Sequence, residues 1–386
     1  MPGVSFSDNG GMTSASHSSD SAEPFEGLRI RGVAKTFGTD TTVLNEIDLD
    51  VHPGELISLV GSSGTGKSTL LRIIAGLEEP SAGRVTYAGQ PLERGSVGVV
   101  FQHPILYPHL SVKDNILFPT RLGAFAGRVD MDYYRELLEA LKLEGLESRK
   151  PSQLSGGQAQ RVGIARALIR RAPVVLFDEP LASVDEEMSA SIRADIVRLH
   201  ERYGFTGLYV THDQNEALML GQRVAVMDAG YLVQVDTPEH LLAHPHTLQV
   251  AKLMAAPALN LVALEDSAVL PAGCQLAIRA TALCPVAADA AHSLPVQVLG
   301  SRHLVGGMLY RARLLEAVSL PLESRRASAD SEPSDRVYAR VRAGQELEFF
   351  IPDAQSGSSL NVGDRVHLGV AAERCFLFSK GKRFYL

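Results

Sequence analysis

Cysteine is scarce. Cys274, Cys284 and Cys375 are the only three in 386 residues, lie far apart and form no CxxC pair. That excludes a disulfide framework and a thiolate zinc site, and it suits a reducing cytosol. Long apolar runs are missing as well: none approaches the roughly 18 residues that a membrane-crossing helix needs. No block of Lys or Arg occurs, and the formal charge is −7 with a pI near 6.0, which excludes a general nucleic-acid binder. Residues 1–24 hold no Lys or Arg and no apolar core, so they do not make a signal peptide; their Ser, Gly and Asp content predicts a disordered tail. What remains, 45% hydrophobic and 21% charged, describes a soluble globular protein long enough for two or three domains.

The chain is organised around Gly61, Ser62, Ser63, Gly64, Thr65, Gly66, Lys67, Ser68 and Thr69. An apolar run, Leu56-Ile57-Ser58-Leu59-Val60, precedes this stretch, and Leu70-Leu71-Arg72-Ile73-Ile74 follows it. Strand, glycine-rich loop and helix in that order make a P-loop. The glycines let backbone N–H groups turn inward around a triphosphate, and the helix adds its positive end. Lys67 would reach the β- and γ-phosphates, and the Ser68 hydroxyl would ligate Mg²⁺. A flexible glycine turn is the bland alternative, but the pattern arises by chance in roughly one or two chains per hundred of this length. ATP-type nucleotide binding is therefore expected.

Around this loop, apolar residues alternate from Leu28 to Phe37 and from Thr42 to Val51, which predicts two antiparallel strands. Phe37, at the turn between them, is either a core residue or a platform for adenine. Strands are also expected at Arg84–Tyr87, Ser96–Phe101, Val174–Phe177 and Gly207–Thr211. Residues 103–153 switch to helical periodicity: Tyr134, Leu137, Leu138 and Leu141 share a face, with Gly145 as the stop. Helices should cover Ala159–Ile169 and the stretch carrying Met188, Ile192, Ile196 and Leu199. Alternating strands and helices predict a parallel sheet with helices on its faces. Beyond residue 260 short Val/Leu-rich segments separated by Gly, Pro and Ser predict a small all-β domain, with Pro321–Asp335 as a loop within it.

The chemistry-bearing residues stand at predicted strand ends, where open α/β sheets bind ligand. Asp178 closes a buried strand and can hold Mg²⁺ through water; Glu179 beside it can act as general base on an attacking water. Gln102 and His212 each end another strand. Ser155, Gly156, Gly157 and Gln158 open a helix and make a second phosphate-binding end. One chain cannot wrap a triphosphate twice at the same point, so a head-to-tail pair in which this segment covers the partner's γ-phosphate is the natural solution.

With this set the chain resembles the ATP-binding subunit of an ABC transporter over residues 28 to 260. Gly61 to Ser68 stands as Walker A, Gln102 as the Q-loop and Leu154 to Gln158 as the signature. Val174 to Asp178 stands as Walker B, Glu179 as the catalytic glutamate, Leu181-Ala182-Ser183-Val184-Asp185 as the D-loop and His212 as the switch histidine. The resemblance implies an α/β P-loop NTPase at 25–245 with a helical insert at about 103–153, a linker at 246–260, and an OB-fold-type (TOBE) domain at 261–386. It implies that Phe37 stacks on adenine and that Gln102 joins Ser68 and Asp178 at Mg²⁺.

Phe101-Gln102-His103, Tyr107-Pro108-His109-Leu110-Ser111-Val112, Thr211-His212-Asp213-Gln214-Asn215-Glu216-Ala217 and Pro257-Ala258-Leu259-Asn260 are similar to the maltose and glycerol-3-phosphate importer branch. Two departures stand out: Ile278-Arg279-Ala280-Thr281 replaces the branch's Arg-Pro-Glu, and Ala182-Ser183-Val184 its Ser-Asn-Leu. The implied function is ATP hydrolysis that powers solute uptake, with ATP and Mg²⁺ as cofactors. The implied partners are a second ATPase subunit (a homodimer or a paired chain), two transmembrane permease subunits and an extracytoplasmic substrate-binding protein, with no nucleic acid. The implied place is the cytoplasmic face of the bacterial inner membrane, held peripherally. Carbohydrate or a glycerol-phosphate-like polyol is the expected cargo; polyamine, sulfate or ferric iron is the alternative, and a soluble non-transport ABC ATPase is the alternative from another class.

Overall fold

The computed structural model describes residues 25–38, 40–121, 129–265, 270, 273–322, 337–355, 359–370 and 374–383. The predicted tail at 1–24 and most of the predicted 321–335 loop lie outside them. Pro321 and Leu322, however, belong to the strand Val318–Leu322, paired with Val337–Val341. Alternation of Val318, Leu320 and Leu322 toward one side carries that strand through the proline.

The nucleotide-binding region is built on a six-stranded sheet. Its spatial order is Tyr231–Asp236, Arg223–Asp228, Leu56–Val60, Thr206–Thr211, Val174–Asp178, Gly98–Val100. Only the first pair is antiparallel. The central strands are buried on both faces: every residue of Leu56–Val60 and Thr206–Thr211 is buried, as their largely apolar sequences require. A second, antiparallel sheet runs Thr41–Val51, Leu28–Phe37, Ala82–Tyr87, Gln90–Pro91. Its inner residues Leu28, Ile30, Val33 and Leu49 pack with Ile57, Leu59 and the P-loop helix on one side of the main sheet. On the other side Val100, Phe177 and Tyr209 meet Leu137, Leu138, Val162, Ile192 and Ile196.

The insert holds two helices, Val112–Leu117 and Met131–Ala140. The second ends sooner than the Gly145 stop predicts: Leu141 is its cap, Lys142 takes a left-handed φ of 55°, and the Leu143 N–H donates to Leu138 O at 2.8 Å. Lys142 does here what glycine does at many helix ends. The strand predicted at Ser96–Phe101 shortens to Gly98–Val100, the part that lies against Val175–Phe177.

The C-terminal region is all-β, as an OB-like domain requires. Antiparallel sheets run Leu259–Ala263, Gln275–Arg279, Cys375–Ser379, Lys382–Arg383 and Leu283–Val286, Arg365–Val370, Leu294–Leu304, Gly307–Leu314, Glu346–Pro352. Leu276, Ile278, Val296, Leu314 and Phe349 share their core. Between the two regions, residues 246–260 hold the helix Leu248–Leu253 and the start of a strand. That helix joins the β region directly, its Leu248 N–H donating to Gly381 O at 2.9 Å and its Ala251 packing on Ala277, Phe376 and Phe378. Among the described residues no helix is long and apolar enough to cross a membrane.

Candidate functional site

The ends of four parallel strands, Val60, Thr211, Asp178 and Val100, lie along one edge of the main sheet, with Val60 opposite Thr211, Asp178 opposite Val210 and Val100 opposite Phe177. The loop 61–66 leaves this edge and enters the helix Lys67–Ile74. Gly66 caps that helix at φ 97°, a left-handed conformation that a side chain rarely adopts. A Cβ there would come 2.6 Å from Leu44 Cδ2 and 2.8 Å from Val43 O, so the loop lies tight against the antiparallel hairpin. Gly61 is equally confined: a Cβ there would come 2.5 Å from Met227 O. No side chain caps the helix and no acidic residue stands in its first turn. Its first N–H groups thus remain available to an anion.

Lys67 is buried and donates from Nζ to Gly61 O at 2.8 Å and Ser62 O at 3.0 Å, which folds the ammonium back over the loop. Burial lowers its pKa, and the charges of Glu179 and Asp178 act against that. The Thr65 hydroxyl donates to Ser62 O at 2.9 Å and fixes the loop's tip, where Ser62, Ser63 and Gly64 are exposed. Thr69 is half-buried in the first turn.

Ser68 Oγ donates to Asp178 Oδ1 at 3.2 Å, bringing together two hard oxygen donors from sequence positions far apart. Burial is the main cause that raises the Asp178 pKa; the Ser68 hydrogen bond opposes it and the neighbouring Glu179 adds to it. Glu179 adopts a left-handed φ of 44° while its N–H donates to Val210 O at 2.9 Å. A non-glycine residue held there is strained, a feature that clusters at functional positions. Its Oε2 lies 3.0 Å from His212 Nδ1, and the imidazole is largely exposed.

Gln102 is exposed two residues beyond Val100, level with Glu179 in the parallel register. Phe37, 42% exposed, stands at the hairpin tip with Lys35 Nζ 4.9 Å from its ring centroid, so it is a surface aromatic and not a core one. The structure thus joins Ser68 to Asp178 and Glu179 to His212, with Lys67 near enough for the charges of both carboxylates to act on it. Ser155 stands apart: no hydrogen bond links it to residues 61–69 among the described residues. It opens the helix Gly156–Leu168 in a reciprocal cap, its Oγ accepting from Gln158 N at 3.2 Å while Gln158 Oε1 accepts from Ser155 N at 3.0 Å. Ser155 and Gly156 are exposed, and Gly157 is wedged against Met188, whose Cγ would be 2.6 Å from an added Cβ.

Sequence reasoning missed the supports behind these groups. Asn115, fully buried, accepts from Tyr107 N and donates to the carbonyls of Tyr107, Leu110 and Ser111, moulding the segment beyond Gln102. His103 Nδ1 lies 3.1 Å from Ser183 Oγ, tying the Gln102 loop to the segment after Glu179. Arg161 and Asp195 form a buried ion pair at 2.5 Å between two helices. A polar residue at an inward helical position is the one signal for such partners, and it does not say which partner.

A strand-loop-helix phosphate cradle with an acidic pair on the adjacent strand but one defines a P-loop nucleoside triphosphatase. Residues 44–182 match the family profile described as ABC transporter. The chain is 45% identical over 241 residues to the sn-glycerol-3-phosphate import ATP-binding protein UgpC 1 of Rhizobium johnstonii, a match covering 61% of this chain and 65% of the relative. It is 42% identical over 266 residues to the protein of that name from Salmonella typhi, covering 66% and 74%. Among solved structures, cbiO1 from Clostridium perfringens, part of the ABC transporter complex cbiONQ, superposes with a TM-score of 0.51 at 27% identity over 57% of this chain and 92% of that one. The chain belongs to the ABC transporter family, and residues around the P-loop are its ATP-binding cassette.

Proposed function

We propose that this chain is the ATP-hydrolysing subunit of a bacterial importer and that its cargo is glycerol phosphate or a related carbohydrate. The observation that carries the hydrolytic reading is the contiguous set Lys67, Ser68, Asp178, Glu179 and His212 along one sheet edge. The cargo rests on the curated relatives, whose names specify sn-glycerol-3-phosphate import.

In this reading the 61–66 backbone and Lys67 bind the triphosphate and Phe37 offers its exposed face to adenine. Ser68, Asp178 and Gln102 are the residues to hold Mg²⁺. One carboxylate, one hydroxyl and one amide, completed by phosphate and water, suit an ion that rarely takes an all-protein cage. Mg²⁺, when bound, neutralises charge on the phosphates. Glu179 Oε accepts the proton of the attacking water, and His212, hydrogen-bonded to that carboxylate, holds the general base in place. The exposed cap at Ser155 then faces the γ-phosphate of a second copy, so the working unit is a head-to-tail pair with two shared sites.

The pair docks on two membrane-embedded permease subunits at the cytoplasmic face, and a separate binding protein delivers solute from outside. The segment Tyr107–Val112, with Tyr107 exposed and the exposed Ile105 just ahead of it, is the surface offered to the permease. Uptake of labelled glycerol phosphate and sugars by a strain lacking this chain tests the cargo. Loss of that uptake is expected; unchanged uptake with lost polyamine, sulfate or iron import would overturn the cargo and leave the hydrolytic reading standing.

A further inference from the structure

Where the cassette meets the C-terminal sheets there is a cavity of about 500 Å³. Arg279, Arg374, Arg383 and His244 line it, and Glu239 is the one acidic residue of its wall. Phe376 lies between two of the arginines: Arg279 Cζ is 5.1 Å and Arg383 Cζ 4.8 Å from its ring centroid. Each of these arginines also donates one N–H to the end of the helix Pro238–Ala243, Arg279 Nη1 to Leu242 O at 2.8 Å and Arg383 Nη1 to Ala243 O at 2.9 Å. These contacts hold two positive charges close together at the boundary of the two regions.

Arg279 is left incompletely satisfied by them. Its Nε and Nη2 are buried with no hydrogen-bond partner. An unpaired buried donor, and a charged one above all, is costly and marks a missing acceptor. Burial first, and then the Arg383 charge, push the Arg279 pKa down to about 10. No carboxylate pairs with Arg279 or Arg374 within 4.0 Å among the described residues, Glu239 included. Every part of this arrangement, the clustering, the desolvation and the unused donors, is relieved by an anion.

We propose that this cavity binds a small phosphate-bearing anion, with Arg279, Arg374 and Arg383 as its charge-assisted donors. Guanidinium forks match the oxygens of phosphate in pairs, which suits a three-arginine wall better than a single carboxylate would. The volume lies within the range of small-molecule sites and exceeds what one inorganic ion fills. The ligand would bridge the cassette and the β region, since its donors come from the C-terminal β region, Arg279 and Arg383 from strands and Arg374 just ahead of Cys375–Ser379, while the wall they brace is the cassette's helix end. The site is separate from the P-loop and stands whether or not the cargo assignment holds.

Isothermal titration of the full chain, saturated with ADP so that the P-loop is filled, tests this. Inorganic phosphate and methyl phosphate are the two probes. Saturable binding of one ligand per chain is expected, weakened about tenfold or more in Arg279→Gln, the loss of one charged hydrogen bond. Arg374→Gln, at an exposed position that spares the fold, should weaken it as well. Tighter binding of methyl phosphate than of inorganic phosphate would identify an organic phosphate as the ligand class; equal binding would identify the free ion. Absence of saturable binding by both probes, or binding by both variants as tight as wild type, would overturn the proposal.

Discussion

Replacing Arg161 with alanine is expected to destabilise the cassette by about 3 kcal/mol, through a group that touches no nucleotide. Arg161 lies on the helix that Ser155 opens, with its side chain 5% exposed, and its Nη1 is 2.5 Å from Asp195 Oδ2 on the helix Glu186–Tyr203. The contact is an ion pair without a well-aligned hydrogen bond, since Oδ2 has no hydrogen-bond partner. The same guanidinium donates to Leu141 O at 2.9 Å and to Ser191 Oγ at 2.9 Å, so one side chain joins three segments. Asp195 is fully buried, and removing its partner from a buried pair costs about 3–5 kcal/mol. Arg198 and Lys142 also approach Asp195 but are mostly exposed, so they cushion the loss and favour the lower end. At about 2–4 °C per kcal/mol, thermal denaturation should show the midpoint falling by about 6–12 °C. Arg161→Met combined with Asp195→Leu removes both charges and should recover most of that loss. Recovery should extend to ATP hydrolysis, because the pair positions the Ser155 helix and performs no chemistry. A midpoint for Arg161→Ala within 2 °C of wild type would refute the reasoning, as would a double variant no better than the single.

Asp178→Asn should raise the thermal midpoint of the nucleotide-free chain at pH 7 while abolishing hydrolysis. Burial lifts the folded-state pKa of Asp178 above its unfolded value, so the penalty on its charged form is present above the folded pKa and disappears below the unfolded one. The gain seen by differential scanning calorimetry should therefore shrink as the pH approaches 4, and a gain that grows on acidification would be the wrong sign. Mixing Lys67→Ala chains with Ser155→Arg chains should restore nucleotide trapping to one site per mixed dimer, because each site would take its loop from one chain and its cap from the other. Trapping in the mixture no better than in either variant alone would count against the shared site.

Much of the cassette was legible from residue order. Val174–Phe177 is an unbroken apolar run, and Leu56–Val60 and Gly207–Thr211 are nearly so, as short strands buried on both faces tend to be. The groups proposed for catalysis follow such segments, so each stands at a strand end. Helix ends were harder. Lys142 takes the left-handed turn that Gly145 was expected to provide, because the packing of Leu141 and Leu143 outweighs the cost of a side chain there. The junction was illegible. Arg279 stands among Leu276, Ala277 and Ile278, and nothing near it in sequence says that Phe376 and Arg383 will meet it. Contacts between residues a hundred positions apart are set by how the sheets close, which no local pattern encodes.

The central claim is that this site hydrolyses ATP by general-base chemistry at Glu179, and phosphate release by the purified chain in Mg²⁺-ATP measures it directly. Wild type should release phosphate steadily, while Glu179→Gln should bind ATP as tightly but turn over about a hundredfold more slowly or less, since the amide keeps the shape and cannot accept the proton. Near-normal turnover by Glu179→Gln would contradict the account.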